Sequence, residues 1–277
     1  MFKLKKFAFL YLFAAVFFAF TAGEHFFANS TSQPQFEHTL QQLKYQLDYI
    51  DVYVSAQNVK TQEIIASNDS NEVKTVYLTF DDGPSARTLE ILDILDEYDI
   101  KATFFILSDE KDSSREIVKR IYDEGHAIGV HSHSHSYENI YKSVDSFLDD
   151  FEICFNYIKD IIGESPSIFR FPGGSVNSYN KKICKPLTEE MTRRGFTYFD
   201  WNVSADDAVK GYTEESIYTN VVNGCKNRNV SVVLMHDSTP KKDTVAALKR
   251  IIPALMEQGY HFDRLDETAQ PTVFKIE

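Results

Sequence analysis

From about residue 72 onward, short β-branched or aromatic runs alternate with stretches whose apolar residues recur every three or four positions. The runs over 76–80, 102–107, 127–130, 168–171, 196–201, 230–235 and, more weakly, 260–262 read as strands. Between them, Leu89-Ile91-Leu92-Ile94-Leu95, Ile117-Val118-Ile121, Phe151-Phe155-Ile158 and Val245-Leu248-Ile252-Leu255 read as amphipathic helices. Such alternation calls for parallel strands joined by right-handed crossovers. The expected fold class is α/β: a closed or nearly closed (β/α) barrel of about seven strands first, an open doubly wound sheet second.

The chain before this region follows other rules. Lys3, Lys5 and Lys6 precede an unbroken apolar run from Phe7 to Phe20, closed by the small residues Thr21-Ala22-Gly23. A charged head, an apolar run and small residues make residues 1–23 a signal peptide or membrane anchor, which places the rest of the chain outside the cytoplasm and lets this segment contact a membrane. Residues 24–72 are polar, but Phe36, Leu40, Leu43, Leu47, Ile50 and Val54 alternate at intervals of four and three. That seam predicts a linker or helical stalk, too short to specify a coiled coil. The globular domain is expected over 73–277.

Composition narrows the function. A 43% hydrophobic, 14% aromatic chain can bury a core, and a net charge of -12 argues against nucleic acid as a partner. Cys154, Cys184 and Cys225 are too few for a disulfide framework, although one pair, Cys184 with Cys225, is open. No CxxC pattern offers a thiolate metal site.

In a parallel barrel, chemistry gathers at the carboxyl ends of the strands. Five polar clusters fall there: Asp81-Asp82-Gly83-Pro84, His131-Ser132-His133-Ser134-His135, Arg170-Phe171-Pro172-Gly173-Gly174, the stretch from Trp201 to Asp207, and His236-Asp237. His131 and His135 are spaced to reach one ion, and a carboxylate of the Asp81-Asp82 pair would complete a two-His, one-carboxylate set with an open position. The other carboxylate, pointing elsewhere because side chains alternate along a strand, could take a proton from an attacking water. Asp-Asp-Gly-Pro is equally a turn signature, and the two roles are compatible. Arg170 could clamp and orient Asp81, and a backbone N–H of the Pro172-Gly173 turn could stabilise an oxyanion. His236 emerges from an apolar strand and could protonate a leaving amine, with Asp207 holding the imidazolium. His133 is expected to face solvent, and His25, His38, His126 and His261 to play no part.

In this order, the clusters resemble the polysaccharide deacetylases with the NodB homology domain, carbohydrate esterase family four. The resemblance spans roughly residues 73–266 and rests on Thr79-Phe80-Asp81-Asp82-Gly83-Pro84 together with His131-Ser132-x-x-His135. It implies a distorted (β/α) barrel. It implies too that Asp81 is the general base, that Asp82, His131 and His135 bind one divalent metal, zinc first and cobalt or nickel as alternatives, and that Arg170 orients Asp81. His236 would be the general acid, tuned by Asp207.

Two departures stand out. Gly173 replaces the aromatic residue that commonly follows Arg-x-Pro in the family, and Ala208 replaces the tryptophan that usually follows the aspartate of the fourth motif. Trp201, the single tryptophan, lies elsewhere in the sequence.

The expected function is metal-dependent removal of N-acetyl groups from N-acetylhexosamine residues of a glycan. Peptidoglycan is preferred and chitin oligomers are an alternative. An O-acetyl esterase and a catalytically weak glycan-binding module are the rival readings.

Overall fold

A computed structural model describes residues 73–276 of the chain; the signal or anchor segment and the stalk expected over 1–72 lie outside the described residues. Strands are β1 (Lys74–Gly83), β2 (Thr103–Leu107), β3 (Ala127–Ser132), β4 (Ile168–Phe169), β5 (Thr197–Tyr198), β6 (Val203–Ser204), β7 (Val230–His236) and β8 (Tyr260–Asp263). Helices are α1 (Ala86–Glu97), α2 (Asp112–Asp123), the single turn α3 (Tyr137–Ile140), α4 (Val144–Ile162), α5 (Cys184–Arg193), α6 (Glu214–Cys225) and α7 (Lys242–Glu257). Among the described residues no helix is long and apolar enough to cross a membrane.

All strand pairs are parallel, in the order β5-β4-β3-β2-β1-β7-β6, with β8 against the first half of β1. Within the stretch expected as one strand over 196–201 only the two-residue β5 forms, with the two-residue β6 following it, and the reason is closure. Thr197 and Phe199 donate their N–H groups to Ser167 and Phe169 on the β4 side, whereas Asn202 and Ala205 donate to Val232 and Leu234 on the β7 side. One extended segment thus bonds to both edges of the sheet and curls it into a distorted (β/α) barrel. It cannot ladder with both edges at once, so its pairing breaks at residues 199–202.

Alternation along β1 sorts the core. Val76, Leu78 and Phe80 point outward into the large cluster beneath the helices. Tyr77 joins Phe105, Ala127, Ile168, Phe199, Val232 and Leu265 in a small cluster inside the barrel. Phe147 and Phe151 of α4 meet Phe169, Phe171 and Phe196 edge-on or tilted, joining the helix to the sheet through an aromatic cluster.

Helix starts follow local chemistry. Ser85 and Thr213 close capping boxes on α1 and α6, and α4 begins at Ser143 and ends at Gly163 in the left-handed region. Cys154, Cys184 and Cys225 are buried free thiols, so the optional Cys184–Cys225 pair is not formed.

Candidate active site

The inward-facing side chains of the strand ends meet at one mouth. Asp81 and His236 stand opposite each other in the β1–β7 register. Strict alternation would carry Asp82 to the helix side of the sheet. Instead the β1–β2 pairing slips between Asp81 and Gly83, and Asp82 takes a left-handed φ of 74°. Both carboxylates consequently reach His131: its Nε2 lies 3.9 Å from Asp81 Oδ2 and 3.5 Å from Asp82 Oδ1.

The histidine loop is held from outside the motif. Asp150 of α4 accepts hydrogen bonds from Ser132 Oγ and from the backbone N–H groups of His133 and Ser134. Ser132 Oγ in turn accepts from His135 N–H, fixing His135 at a φ of 51°. His135 Nε2 then sits 3.3 Å from Asp82 Oδ1. His133 lies apart, its Nδ1 2.7 Å from Ser108 Oγ at an exposed position.

These three side chains fit a shared cation. His131 Nδ1 donates to the Arg170 carbonyl at 2.9 Å, which fixes the tautomer and leaves the lone pair of Nε2 aimed at Asp82. Asp82 Oδ1 is buried and makes no hydrogen bond. One ligand atom from each of Asp82, His131 and His135 lies within 4.8 Å of the others. Three acceptors facing one another repel unless a positive charge sits between them, and a carboxylate with two imidazoles suits a divalent transition metal. Protonated imidazoles would meet the same need for positive charge: burial would push the Asp82 carboxyl up, but the charge of His131, His135 and His236 outweighs it and holds the group well below the usual carboxylate range.

Arg170 is fully buried inside the barrel rather than paired at the surface. Its guanidinium donates to Asp81 Oδ1 at 2.9 Å, Thr79 Oγ1 at 2.6 Å and the carbonyls of Phe199 and Asp200. Beneath it, 4.3 Å away, lies the Phe105 ring. That ring needs the bare backbone of Gly129, where a Cβ would stand 2.5 Å from it. Four bonds and a ring face thus orient the cation that orients Asp81.

On the opposite side, His236 Nδ1 lies 2.7 Å from Asp207 Oδ1, and His236 N–H donates to Asp207 Oδ2. Thr244 Oγ1 and Lys241 Nζ donate to the same aspartate, through its carboxylate and its carbonyl. Burial would lower the imidazole pKa, but the Asp207 bond outweighs it and raises it. The same bond lowers the Asp207 carboxyl against its own burial.

Pro172 and Gly173 occupy the centre of a turn closed by Gly174 N–H to Phe171 O at 2.8 Å, with Gly173 at φ 74°. Proline followed by a left-handed glycine is a type II turn. The Pro172 carbonyl accepts from Tyr141 Oη at 2.7 Å and from Asn177 Nδ2 at 3.2 Å. Because the peptide is planar and trans, the Gly173 N–H points the other way from that carbonyl.

Where the family pattern would place an aromatic side chain on residue 173, the ring of Tyr137 stands instead: a Cβ on Gly173 would lie 2.8 Å from it. Trp201 packs on Phe274 and beside Gly174, and so lines the underside of this turn.

Several residues of this architecture are silent in the sequence reading. Thr79 lies inside the first motif and was reachable by alternation from Asp81. Tyr137 opens the single turn α3 and Tyr141 caps its end, with nothing in their spacing to signal a site; Asp150 sits on the apolar face of α4, which marks it as inward-turned but not as part of a site. His126, expected to play no part, is a buried residue at the foot of β3 whose Nδ1 accepts Ala102 N–H at 3.1 Å.

The family model described as Polysaccharide deacetylase matches residues 68–191. A peptidoglycan-N-acetylglucosamine deacetylase of Bacillus cereus is 34% identical over 208 residues, covering 72% of this chain and 72% of its own. The crystal structure of the catalytic domain of a peptidoglycan N-acetylglucosamine deacetylase from Eubacterium rectale superposes with a TM-score of 0.70 at 39% identity, covering 74% of this chain and 94% of that one. A polysaccharide deacetylase from Bacillus cereus gives a TM-score of 0.64 at 33% identity over 72% of this chain and 96% of that one. The chain belongs to the polysaccharide deacetylase family, that of the NodB homology domain, and is an enzyme of that class.

Proposed function

We propose that this chain is an extracytoplasmic, metal-dependent hydrolase that removes the N-acetyl group from N-acetylglucosamine residues of peptidoglycan. The observation that carries the reading is the cluster of ligand atoms from Asp82, His131 and His135 around the undonated Asp82 Oδ1, with the Asp81–Arg170 and His236–Asp207 pairs beside it. The names of the Bacillus cereus and Eubacterium rectale relatives support the substrate. The apolar run from Phe7 to Phe20 supports a location where peptidoglycan is accessible.

Asp82, His131 and His135 would hold the metal, with zinc favoured by the mixed nitrogen and oxygen donors. When bound, the cation supplies Lewis-acid polarisation of the acetamide carbonyl and makes water more acidic. Asp81, kept oriented by Arg170, accepts the proton of the attacking water. The Gly173 N–H donates to the carbonyl oxygen as negative charge develops on it. His236, whose Nδ1 is committed to Asp207, presents Nε2 to the amide nitrogen and protonates it as the carbon–nitrogen bond breaks. Acetate and a free amino sugar leave.

The test is acetate release from peptidoglycan glycan strands and from N-acetylglucosamine oligomers, before and after chelation. Chelator is expected to abolish turnover, one equivalent of zinc to restore it, and His135→Ala to lose both metal and activity. Turnover that survives complete metal removal would overturn the reading.

A further inference from the structure

We propose that the open face of Tyr179, stacked on Tyr137, is the binding subsite for a hexopyranose ring of the glycan next to the sugar being deacetylated. The inference rests on the deacetylase reading and adds to it a residue that selects for polymer over single sugar.

Imidazole and phenol rings form a staircase leading out of the mouth. His131 and His135 have ring centroids 5.2 Å apart, His135 and Tyr137 again 5.2 Å apart in edge contact, and Tyr137 and Tyr179 5.1 Å apart at an interplanar angle of 29°. One end is a candidate metal ligand; the other is 54% exposed. Tyr179 is the one aromatic among the large exposed apolar side chains of the described residues. One face of its ring lies on Tyr137, so the exposed surface includes the other face and the hydroxyl edge.

The ring is held on a stiff mount. Tyr179 N–H donates to Asn177 Oδ1 at 2.9 Å, and Asn177 Nδ2 donates to the carbonyls of Pro172 and Gly174. Tyr179 is therefore tied to the turn that carries the Gly173 N–H, and a sugar resting on it is placed relative to the reacting carbonyl by a single rigid unit. Little ordering entropy is lost on binding to such a surface.

The chemistry matches a sugar rather than another ligand. A hexopyranose shows one flank of C–H bonds and a rim of hydroxyls, and it is uncharged. A phenol ring offers a flat apolar face for the flank and a polar handle at its edge for the rim. Gly173 adds to the case. With no side chain there, the space beside the turn goes to Tyr137, which backs Tyr179.

The experiment compares the full-length wild type with Tyr179→Ala and Tyr179→Phe on N-acetylglucosamine and its dimer, trimer and tetramer. The KM ratio of Tyr179→Ala to wild type is expected to grow with chain length and to reach roughly three- to tenfold on the longer oligomers, the range a single aromatic contact sustains. Tyr179→Phe should restore most of that difference. Tetramer binding to chelator-treated protein, followed by calorimetry, should show the same order without turnover. A KM ratio independent of length, or equal tetramer binding by wild type and Tyr179→Ala, would overturn the subsite. Wild type that binds the tetramer through Tyr179 but releases no acetate from any substrate would instead sink the deacetylase reading and leave the subsite standing.

Discussion

Asp82 Oδ1 is buried without a donor, while the hydroxyl of Tyr141, also buried, is fully committed to the Pro172 carbonyl. The first leaves a carboxylate oxygen free to meet a cation; the second is a brace. Loss of the brace frees the Pro172–Gly173 peptide to rotate, because the turn alone leaves the central peptide two orientations, type I and type II. Tyr141→Phe is therefore expected to lower kcat by roughly 10- to 100-fold, part of what a lost oxyanion donor costs, with KM and bound metal little changed. Steady-state kinetics with metal analysis checks this, and an unchanged kcat would mean that Asn177 alone holds the peptide. Arg170 makes a related point: burial gives its pairing with Asp81 weight that a surface ion pair would lack, because an unpaired buried carboxylate is expensive.

Elements act on the site through single side chains. Helix α4 packs its apolar face on β3 and, through Phe147 and Phe151, on Phe169 of β4, and Asp150, on that same face between Phe147 and Cys154, grips three donors of the histidine loop. The left-handed φ of His135 persists because that grip over-determines the loop. Asp150→Ala should leave three donors without an acceptor, lower zinc affinity by roughly 10- to 100-fold, as loss of an outer-shell partner does, and preserve the secondary structure. Competition with a chromogenic chelator, alongside circular dichroism, measures both; unchanged affinity would show that Ser132 and the strand end suffice. The histidine spacing was legible in the sequence. Its support was only hinted at: Asp150 lies in the next helix, where its place on the apolar face, three residues after Phe147 and four before Cys154, shows that it turns inward but not what it holds.

At the scale of the molecule, closure of the sheet and pH response both depend on buried groups. Burial pushes the His126 imidazole down to about 4 from its ordinary 6.5, so the folded chain keeps it neutral where the unfolded chain protonates it. The unfolded state then binds more protons, and His126 costs stability progressively as pH falls from about 6.5 towards 4. Asp237 works in the opposite sense. Burial raises its carboxyl to about 7, so stability is lost as pH rises from the ordinary 3.8 through that value. The two slopes overlap in the wild type, and a variant separates them. His126→Gln retains an acceptor for Ala102 N–H and cannot ionise, so its melting temperature relative to wild type should rise between pH 7 and pH 5. A constant difference across that range would show that His126 titrates normally. The C-terminal tail contributes to the same closure: Asp200 accepts from Ser175 and from Phe274 N–H, joining the last described residues to the turn at Gly173.

The sequence by itself determined the strand–helix alternation, the parallel sheet and the positions where polar clusters end apolar strands, since these depend on local periodicity and on residue types that are costly to bury. It also contained every residue now found at the mouth from the first, third and sixth of its predicted strands. Only the tertiary structure decided that Asp82 turns back to join Asp81, that one extended segment splits to close the barrel, and that Tyr137 fills the space beside Gly173. Those outcomes depend on a slipped register, on two sheet edges competing for one chain, and on contacts between residues far apart in sequence, none of which leaves a periodic trace.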